Sequence, residues 1–293
     1  MAAPVTTFQD LVSLLGEAEF RSVLQQRKLT FVRGREPQRY AGLLNWEMLV
    51  GLIERGDHPR GLEEFRLARE SISVPASRWL TRDASDGRIK VDTAKVDEFM
   101  TLGFSLIVDH IDRHVPLLAE LCKDVSRNCS EQSYAAVVVT TGSGGAFKLH
   151  YDPEDLIILQ VEGTKRWRIF GPPVRNPVIA GPKVPAPPEE SPIFDEVLQP
   201  GDFLFVPAGN WHHCQNGPGR SLHLGVFFIA PTGFEYTREI TSKLVEEDIF
   251  RTPLSRLNDP RQLAKLEDEV KTRLIERVNE MDLRGFVSTW TAR

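Results

Sequence analysis

Cysteine is scarce in this chain: Cys122, Cys129 and Cys214 are the three in 293 residues, and no two lie close together. That excludes a disulfide framework and a zinc knuckle, and it suits a reducing cytoplasm. No run of about 18 apolar residues occurs, so no membrane-spanning helix is expected. The opening MAAPVTTFQDLVSLLGEAEF has no basic segment leading into an apolar one and is not read as a secretory signal. Blocks of like charge are missing too. Thirty-six Lys and Arg against 41 Asp and Glu leave a formal charge of −5, which argues against a broad electrostatic grip on nucleic acid or an anionic membrane. No internal repeat is present, which removes solenoid architectures. What remains is an ordinary globular composition, 41% hydrophobic and 26% charged, long enough for one large domain or two smaller ones. Histidine is also scarce, at seven, yet His150, His212, His213 and His223 fall in one stretch of the chain.

The front of the chain reads as helix-rich. Phe8, Leu11, Val12, Leu14 and Leu15 suit an amphipathic helix, and Leu43 to Ile53 another. Leu29–Val32 and Phe104–Val108 read as short strands, and Val115–Lys123 as a helix that Asp109 or Asp112 could cap. From Tyr134 the pattern changes. Ala135–Thr141, Leu149–Asp152, Asp155–Val161, Trp167–Phe170, Asp202–Val206 and Ser221–Ile229 are short β-branched and aromatic runs, separated by Gly, Pro and Asp turns. They predict an antiparallel sandwich or barrel, with Pro200-Gly201-Asp202 as one of its turns. Residues 171–192 carry eight prolines and read as a loop over the sheet, since proline cannot donate to a central ladder. After Pro231 the chain is helical again. Leu263, Leu266, Val270, Leu274, Val278 and Met281 make one stripe at spacings of three and four, which needs a partner surface.

The chemistry concentrates in His150-Tyr151-Asp152. On a strand, positions i and i+2 share a face, so an imidazole and a carboxylate can converge on one point. A metal of borderline hardness such as Fe(II) accepts that pair and takes one more neutral nitrogen to complete a facial triad. Candidates for the third ligand lie in Val206-Pro-Ala-Gly-Asn-Trp-His212-His213. His110-Ile111-Asp112 has the same spacing without a glycine-rich turn before it, and is read as capping and surface residues. Trp167 and Trp211 read as packing. Asp155, three positions beyond Asp152, points away from a ligand role.

Leu149-His-Tyr-Asp-Pro-Glu-Asp-Leu-Ile-Ile-Leu-Gln-Val-Glu-Gly-Thr-Lys-Arg-Trp-Arg168 resembles the JmjC-type, cupin-like 2-oxoglutarate oxygenases, nearest their ribosomal-oxygenase and asparaginyl-hydroxylase branches. Gly201-Asp-Phe-Leu-Phe-Val-Pro-Ala-Gly-Asn-Trp-His212 resembles the same family's second metal segment. The likeness covers residues 134–230 well and the front third more loosely, through Phe31-Val-Arg-Gly34 and Leu43-Leu-Asn-Trp46. It implies a mainly β protein with flanking helices and a double-stranded β-helix core. His150, Asp152 and His212 would be the iron ligands and Lys165 the partner of the distal 2-oxoglutarate carboxylate. Thr140 is a second candidate contact for that carboxylate. The hydroxyl partner usual in the family is offset here, with Val138 at one place and Tyr134 at another, so Tyr134 is also a candidate. His223 either lines the cosubstrate pocket or is a core histidine. His213 ranks below His212 because it would face the other way.

The expected organisation is an N-terminal extension over 1–103, a catalytic barrel over 104–232 and C-terminal helices over 233–293; residues 171–192, the longest insertion between the two metal segments, are read as the substrate lid, and the apolar stripe of the C-terminal helices predicts a homodimer. The implied activity is Fe(II)- and 2-oxoglutarate-dependent hydroxylation by O2, releasing succinate and CO2, on a protein, peptide or amino-acid side chain in the cytoplasm. The ribosomal oxygenases usually carry a further winged-helix module. The chain given ends at Arg293 soon after its helical stripe, which weakens the expectation that their ribosomal-protein specificity transfers. N-demethylation, and a metal-dependent cupin enzyme that does not use 2-oxoglutarate, are the alternatives. In the second of these, Lys165 would have no task. A non-catalytic scaffold fits less well, because buried polar groups with no metal to bind are costly.

Overall fold

A computed structural model describes residues 5–55, 64–82, 89–187, 189, 191–256 and 259–292. Pro188 and Glu190 of the proline-rich loop lie outside the described residues. The described strands are β1 (Thr30–Val32), β2 (Phe65–Arg69), β3 (Ile72–Ser73), β4 (Leu80–Arg82), β5 (Ile89–Val91), β6 (Ser105–Val108), β7 (Gln132–Thr141), β8 (Asp155–Glu162), β9 (Lys165–Phe170), β10 (Phe194–Leu198), β11 (Phe203–Val206), β12 (Trp211–Asn216) and β13 (Arg220–Ile229). The helices are α1 (Phe8–Val12), α2 (Glu17–Gln26), α3 (Trp46–Arg55), α4 (Thr93–Thr101), α5 (Pro116–Cys129), α6 (Gly233–Leu244), α7 (Pro260–Asn279) and α8 (Leu283–Thr289). The run of short strands thus becomes a mainly antiparallel β fold with flanking helices. No described helix is long and apolar enough to cross a membrane.

Eight strands form one sheet, in the order β1-β11-β8-β13-β7-β6-β2-β3, and β10-β9-β12 form a second. β8 is central and antiparallel to both β11 and β13. Its sequence DLIILQVE is apolar almost throughout because both of its faces are buried. Ile157, Leu159 and Val161 join Phe203 and Phe205 of β11 and Leu222, Leu224, Val226 and Phe228 of β13 in the larger core cluster. That face is covered by helices: Phe20 of α2 sets its ring 5.8 Å from Phe205 and 6.3 Å from Phe228. The alternate residues Leu156 and Ile158 join Leu204 and Val206 of β11, Trp167 and Ile169 of β9 and Leu198 of β10 in a second cluster between the two sheets. Each fully buried Leu, Ile or Phe contributes about 1.5–3 kcal/mol. The period-two alternation therefore decides which side chains reach the helix layer and which reach the space between the sheets.

Other elements follow local rules. Thr7 and Asp10 cap α1 reciprocally. The Gln199–Asp202 turn closes where Pro-Gly-Asp predicts it, with the buried Asp202 carboxylate accepting from Gly34 N and Gln199 N at 2.8 Å each. Leu149–Asp152, expected as a strand, pairs only through His150, in an isolated bridge to His212. Asp112 is not a helix cap: its carboxylate accepts from Ala135 N of β7 at 2.8 Å.

The described residues separate into two compact units, Met1–Cys129 with Ser133–Ile229, and Ser130–Gln132 with Ala230–Arg293. In the second, Asp259 caps α7 by accepting from Arg261 N, with Pro260 at the first turn. Glu247 receives Arg277 Nε at 2.6 Å. The Tyr236, Phe286 and Trp290 rings follow one another at 5.0 and 5.4 Å. α7 has no buried residue, and Leu263, Leu274, Ile275 and Val278 are exposed.

Candidate metal centre and cavity

An isolated antiparallel bridge pairs two candidate ligands, His150 in the segment between β7 and β8 and His212 of β12. His150 N donates to His212 O at 3.1 Å and His212 N donates to His150 O at 2.7 Å. Residues paired this way in an antiparallel ladder project to the same side, so the two imidazoles face each other with ring centres 4.2 Å apart. Asp152, two residues on, returns to that side and places its Oδ2 3.6 Å from His212 Nε2. Ligand atoms of His150, Asp152 and His212 all lie within 4.8 Å of one another.

The surroundings prepare these groups for a cation. His150 Nδ1 is 2.7 Å from Lys148 O and His212 Nδ1 is 3.0 Å from Asn210 O. A carbonyl only accepts, so both Nδ1 atoms carry the proton and both Nε2 lone pairs are free. Burial, with a smaller contribution from the neighbouring imidazoles, pushes both rings down to about 4, which keeps them neutral and able to ligate. Burial pushes Asp152 the other way, upward. Among the described residues no hydrogen-bond donor reaches its carboxylate, and a metal would supply the missing positive charge. The donor set of two neutral nitrogens and one carboxylate fits Fe(II) with open positions.

A cavity of about 270 Å³ runs from this cluster between the sheets. At one end stand His150, Asp152, Glu154, Asp109, Arg66 and Tyr134; further in are Trp167, Cys214, His223 and Lys165. Lys165 is 2% exposed. Its only hydrogen-bond acceptor among the described residues is Thr140 Oγ1, at 3.1 Å, and no described carboxylate pairs with it. Burial pushes its ammonium down to about 8. The strand register sets Lys165 opposite Asn216 of β12, four residues beyond His212, or ~13 Å along the strand.

Thr140, expected to touch the cosubstrate, bonds to Lys165 but does not itself line the cavity. Tyr134 shares its face of β7 but lies six residues away, ~20 Å along the strand. It lines the other end, stacked on Phe227 at 4.7 Å with His110 at 4.4 Å, and so cannot share Lys165 with Thr140. His223 lines the cavity, its ring edge-on to Trp167 at 5.6 Å, and its buried Nδ1 has no partner among the described residues. Trp167 is packing and wall at once, stacked 5.5 Å from His212. His213 points outward, where its Nδ1 accepts from Arg168 at 2.8 Å, and Asp155 is engaged by Ala208 N. Sequence reasoning missed Asp109, Glu154, Arg66 and Phe227 at the cavity's outer end. Arg66 and Phe227 lie on strands and Asp109 and Glu154 beside strand ends, and their convergence requires the sheet order.

The proline-rich loop was expected to be the lid of this cavity. None of its described residues lines the cavity. Glu189 sits 3.4 Å from His213 Nδ1 and 3.8 Å from Arg168, both outward-facing. Val174 N donates to Gly209 O at 2.8 Å, and Gly209 N donates to Asp152 O at 2.8 Å. The loop is therefore stitched to the backbone behind the cluster.

Comparison with known proteins agrees with this geometry. The family model described as JmjC domain matches residues 114–236. The "Bifunctional lysine-specific demethylase and histidyl-hydroxylase NO66" of Drosophila grimshawi is 41% identical over 220 residues, covering 73% of this chain and 29% of the relative. "Ribosomal oxygenase 1" of Rattus norvegicus is 25% identical over 232 residues, covering 74% and 36%. The chain thus spans about a third of the length of these curated relatives. Among solved structures, Escherichia coli YcfD, described as "a Ribosomal oxygenase" in complex with cobalt and 2-oxoglutarate, superposes with a TM-score of 0.55 at 19% identity, covering 89% of this chain and 67% of that one. That likeness establishes the shared fold. Residues 114–236 thus match the JmjC domain, and the chain is similar to ribosomal oxygenases over about three quarters of its length.

Proposed function

We propose that the chain is an Fe(II)- and 2-oxoglutarate-dependent oxygenase that hydroxylates a C–H bond of a protein, peptide or amino-acid side chain. The observation that carries this reading is a single cavity with a neutral two-histidine, one-carboxylate cluster at one end and a buried, unneutralised ammonium at the other. A five-carbon dicarboxylate that chelates through its 2-oxo acid end leaves its second carboxylate for Lys165, whose side chain covers the remaining reach. A buried ammonium with one neutral partner is costly unless an anion completes it, and a carboxylate there forms charge-assisted hydrogen bonds. An enzyme that used the metal without 2-oxoglutarate would have no reason to bury this charge.

Bound at this cluster, Fe(II) with 2-oxoglutarate supplies O2 activation, yielding succinate, CO2 and the oxidised substrate. The protein's own part is orientation and exclusion. His150, Asp152 and His212 would hold the metal. Lys165 would fix the cosubstrate, and Trp167 and His223 would wall it from water. Tyr134, Asp109, Glu154 and Phe227 stand where the substrate side chain would enter. The two curated relatives are named for histidyl-hydroxylase, lysine demethylase and ribosomal oxygenase activities. We extend to this chain the shared element of those names, a protein side chain as acceptor, with hydroxylation as the reaction.

The test is anaerobic loading with Fe(II), then measurement of succinate from 2-oxoglutarate with and without candidate peptides. Iron-dependent turnover that vanishes in His150→Ala, and a mass gain of one oxygen on a peptide, are the expected results. Absence of any 2-oxoglutarate turnover or binding by the wild type overturns the reading.

The same reading extends to assembly and place. The exposed stripe of α7 supports a homodimer through the C-terminal helices, and the three free cysteines suit the cytoplasm.

A further inference from the structure

Behind the ammonium lies a hydroxyl that the mechanism above does not use. Ser105 is fully buried and is the one polar side chain of β6, whose other residues, Leu106, Ile107 and Val108, are buried hydrophobics. Burying a hydroxyl among them is unfavourable unless it is partnered. Its partner is Thr140 Oγ1, 2.8 Å away, and that same oxygen receives Lys165 Nζ at 3.1 Å. Neither Ser105 nor Thr140 lines the cavity, whereas Lys165 does. The three groups form a chain that ends at the cavity wall.

Charge decides the sense of that chain. An ammonium only donates, so Thr140 Oγ1 must accept from Lys165. The positive field of the ammonium turns the Thr140 hydroxyl dipole so that its oxygen faces Nζ and its proton faces away. The atom waiting on that side is Ser105 Oγ. A hydroxyl that donates becomes a better acceptor, so each bond strengthens the other in a buried site.

We propose that Ser105 is a positioning residue for the anion-binding end: by accepting the Thr140 proton it holds Thr140 Oγ1 against Lys165 Nζ and keeps the ammonium aimed into the cavity. The proposal rests on the reading that Lys165 binds the distal carboxylate of 2-oxoglutarate. Without Ser105 the Thr140 proton has no acceptor on that side, and the ammonium loses its fixed partner while the metal cluster stays intact.

The experiment measures binding, by calorimetry on the full chain loaded with Mn(II), for the wild type, Ser105→Ala, Thr140→Val and the double variant. Each single substitution is expected to weaken 2-oxoglutarate binding by about tenfold, the order of one hydrogen bond to a charged group. The double variant is expected to bind no more weakly than Thr140→Val alone, because Ser105 acts through Thr140. Pyruvate, a 2-oxo acid without the distal carboxylate, should bind all four proteins equally. Ser105→Cys, a weaker acceptor of similar size, should fall between wild type and Ser105→Ala. Unchanged affinity in Ser105→Ala, full additivity in the double variant, or equal weakening toward pyruvate overturns the proposal.

A second measurement needs no cosubstrate. The Lys165 side chain, titrated by NMR in the metal-free protein, should lose its proton at lower pH in Ser105→Ala than in the wild type. An unchanged midpoint is a further overturning result. A wild type that binds no 2-oxoglutarate sinks the functional reading, and this titration then still decides whether Ser105 holds the ammonium.

Discussion

Lys165 makes the cavity's chemistry dependent on pH in a direction that can be worked out. With burial holding its ammonium near 8, the Lys165 end of the empty cavity is positively charged below that pH and neutral above it. A carboxylate selects the charged form. Affinity for 2-oxoglutarate should therefore be level up to about pH 8 and then fall by roughly tenfold per pH unit. Calorimetry across pH 6 to about 10 checks this, and a profile flat to the top of that range would remove Lys165 as the partner. The imidazoles give the acid side. Because His150 and His212 hold their protons only below about 4, they stay neutral through most of the range where a free histidine is charged. The unfolded chain binds those protons and the folded one does not, so the metal-free protein should lose stability as pH falls from about 6.5 to 4. Denaturant midpoints at stepped pH measure it. At this scale the sequence was partly legible. The two-residue spacing anticipated that His150 and Asp152 converge, although Leu149–Asp152 forms no strand, and the resemblance anticipated that His212 joins them. Ser105 left no signal, because a hydroxyl in an apolar strand announces nothing about a partner 35 residues on.

At the scale of elements, the turn before β12 is under tight steric control. Gly209 has φ of +83°, and a Cβ there would stand 2.1 Å from Val174 O. Gly219 has the same φ of +83° with open space around it. Gly219→Ala should cost only the left-handed strain, about 1–2 kcal/mol. Gly209→Ala should cost clearly more, about 3–4 kcal/mol, and should also weaken metal binding, since Gly209 N holds Asp152 O. Urea unfolding and metal titration of the pair separate the two effects; equal costs would mean that the backbone gives way without resistance. β8 and β13 were legible here because both their faces are buried and their apolar runs are long. β12 was not: WHHCQN lacks apolar alternation because His212 and Cys214 face the cavity while His213 meets Arg168. Alternation also gave Tyr134 its correct face and not its depth. Periodicity reports which side of a sheet a residue takes, and only the register reports how far along.

For the molecule as a whole, α7 supplies the prediction. Leu274 and Val278 are 39% and 48% exposed, while neighbouring charges are satisfied within the helix, as in Lys271 with Glu267 and Arg273 with Glu276. If the stripe joins two copies, Leu274→Glu should convert a dimer to a monomer by sedimentation, with succinate formation in the absence of substrate little changed. A wild type that sediments as a monomer counts against the interface. The overall β architecture was readable in outline. The seat of the proline-rich loop was not, since composition marks a segment as irregular without saying which face it crosses. The bridge between His150 and His212 has a consequence for how the protein can be observed. The two amides that exchange hydrogen bonds there belong to the residues whose side chains would share an ion, so filling the centre clamps the very backbone it hangs from. Deuterium uptake at those two amides then acts as an occupancy gauge, slowing when an ion is seated and quickening when a chelator removes it.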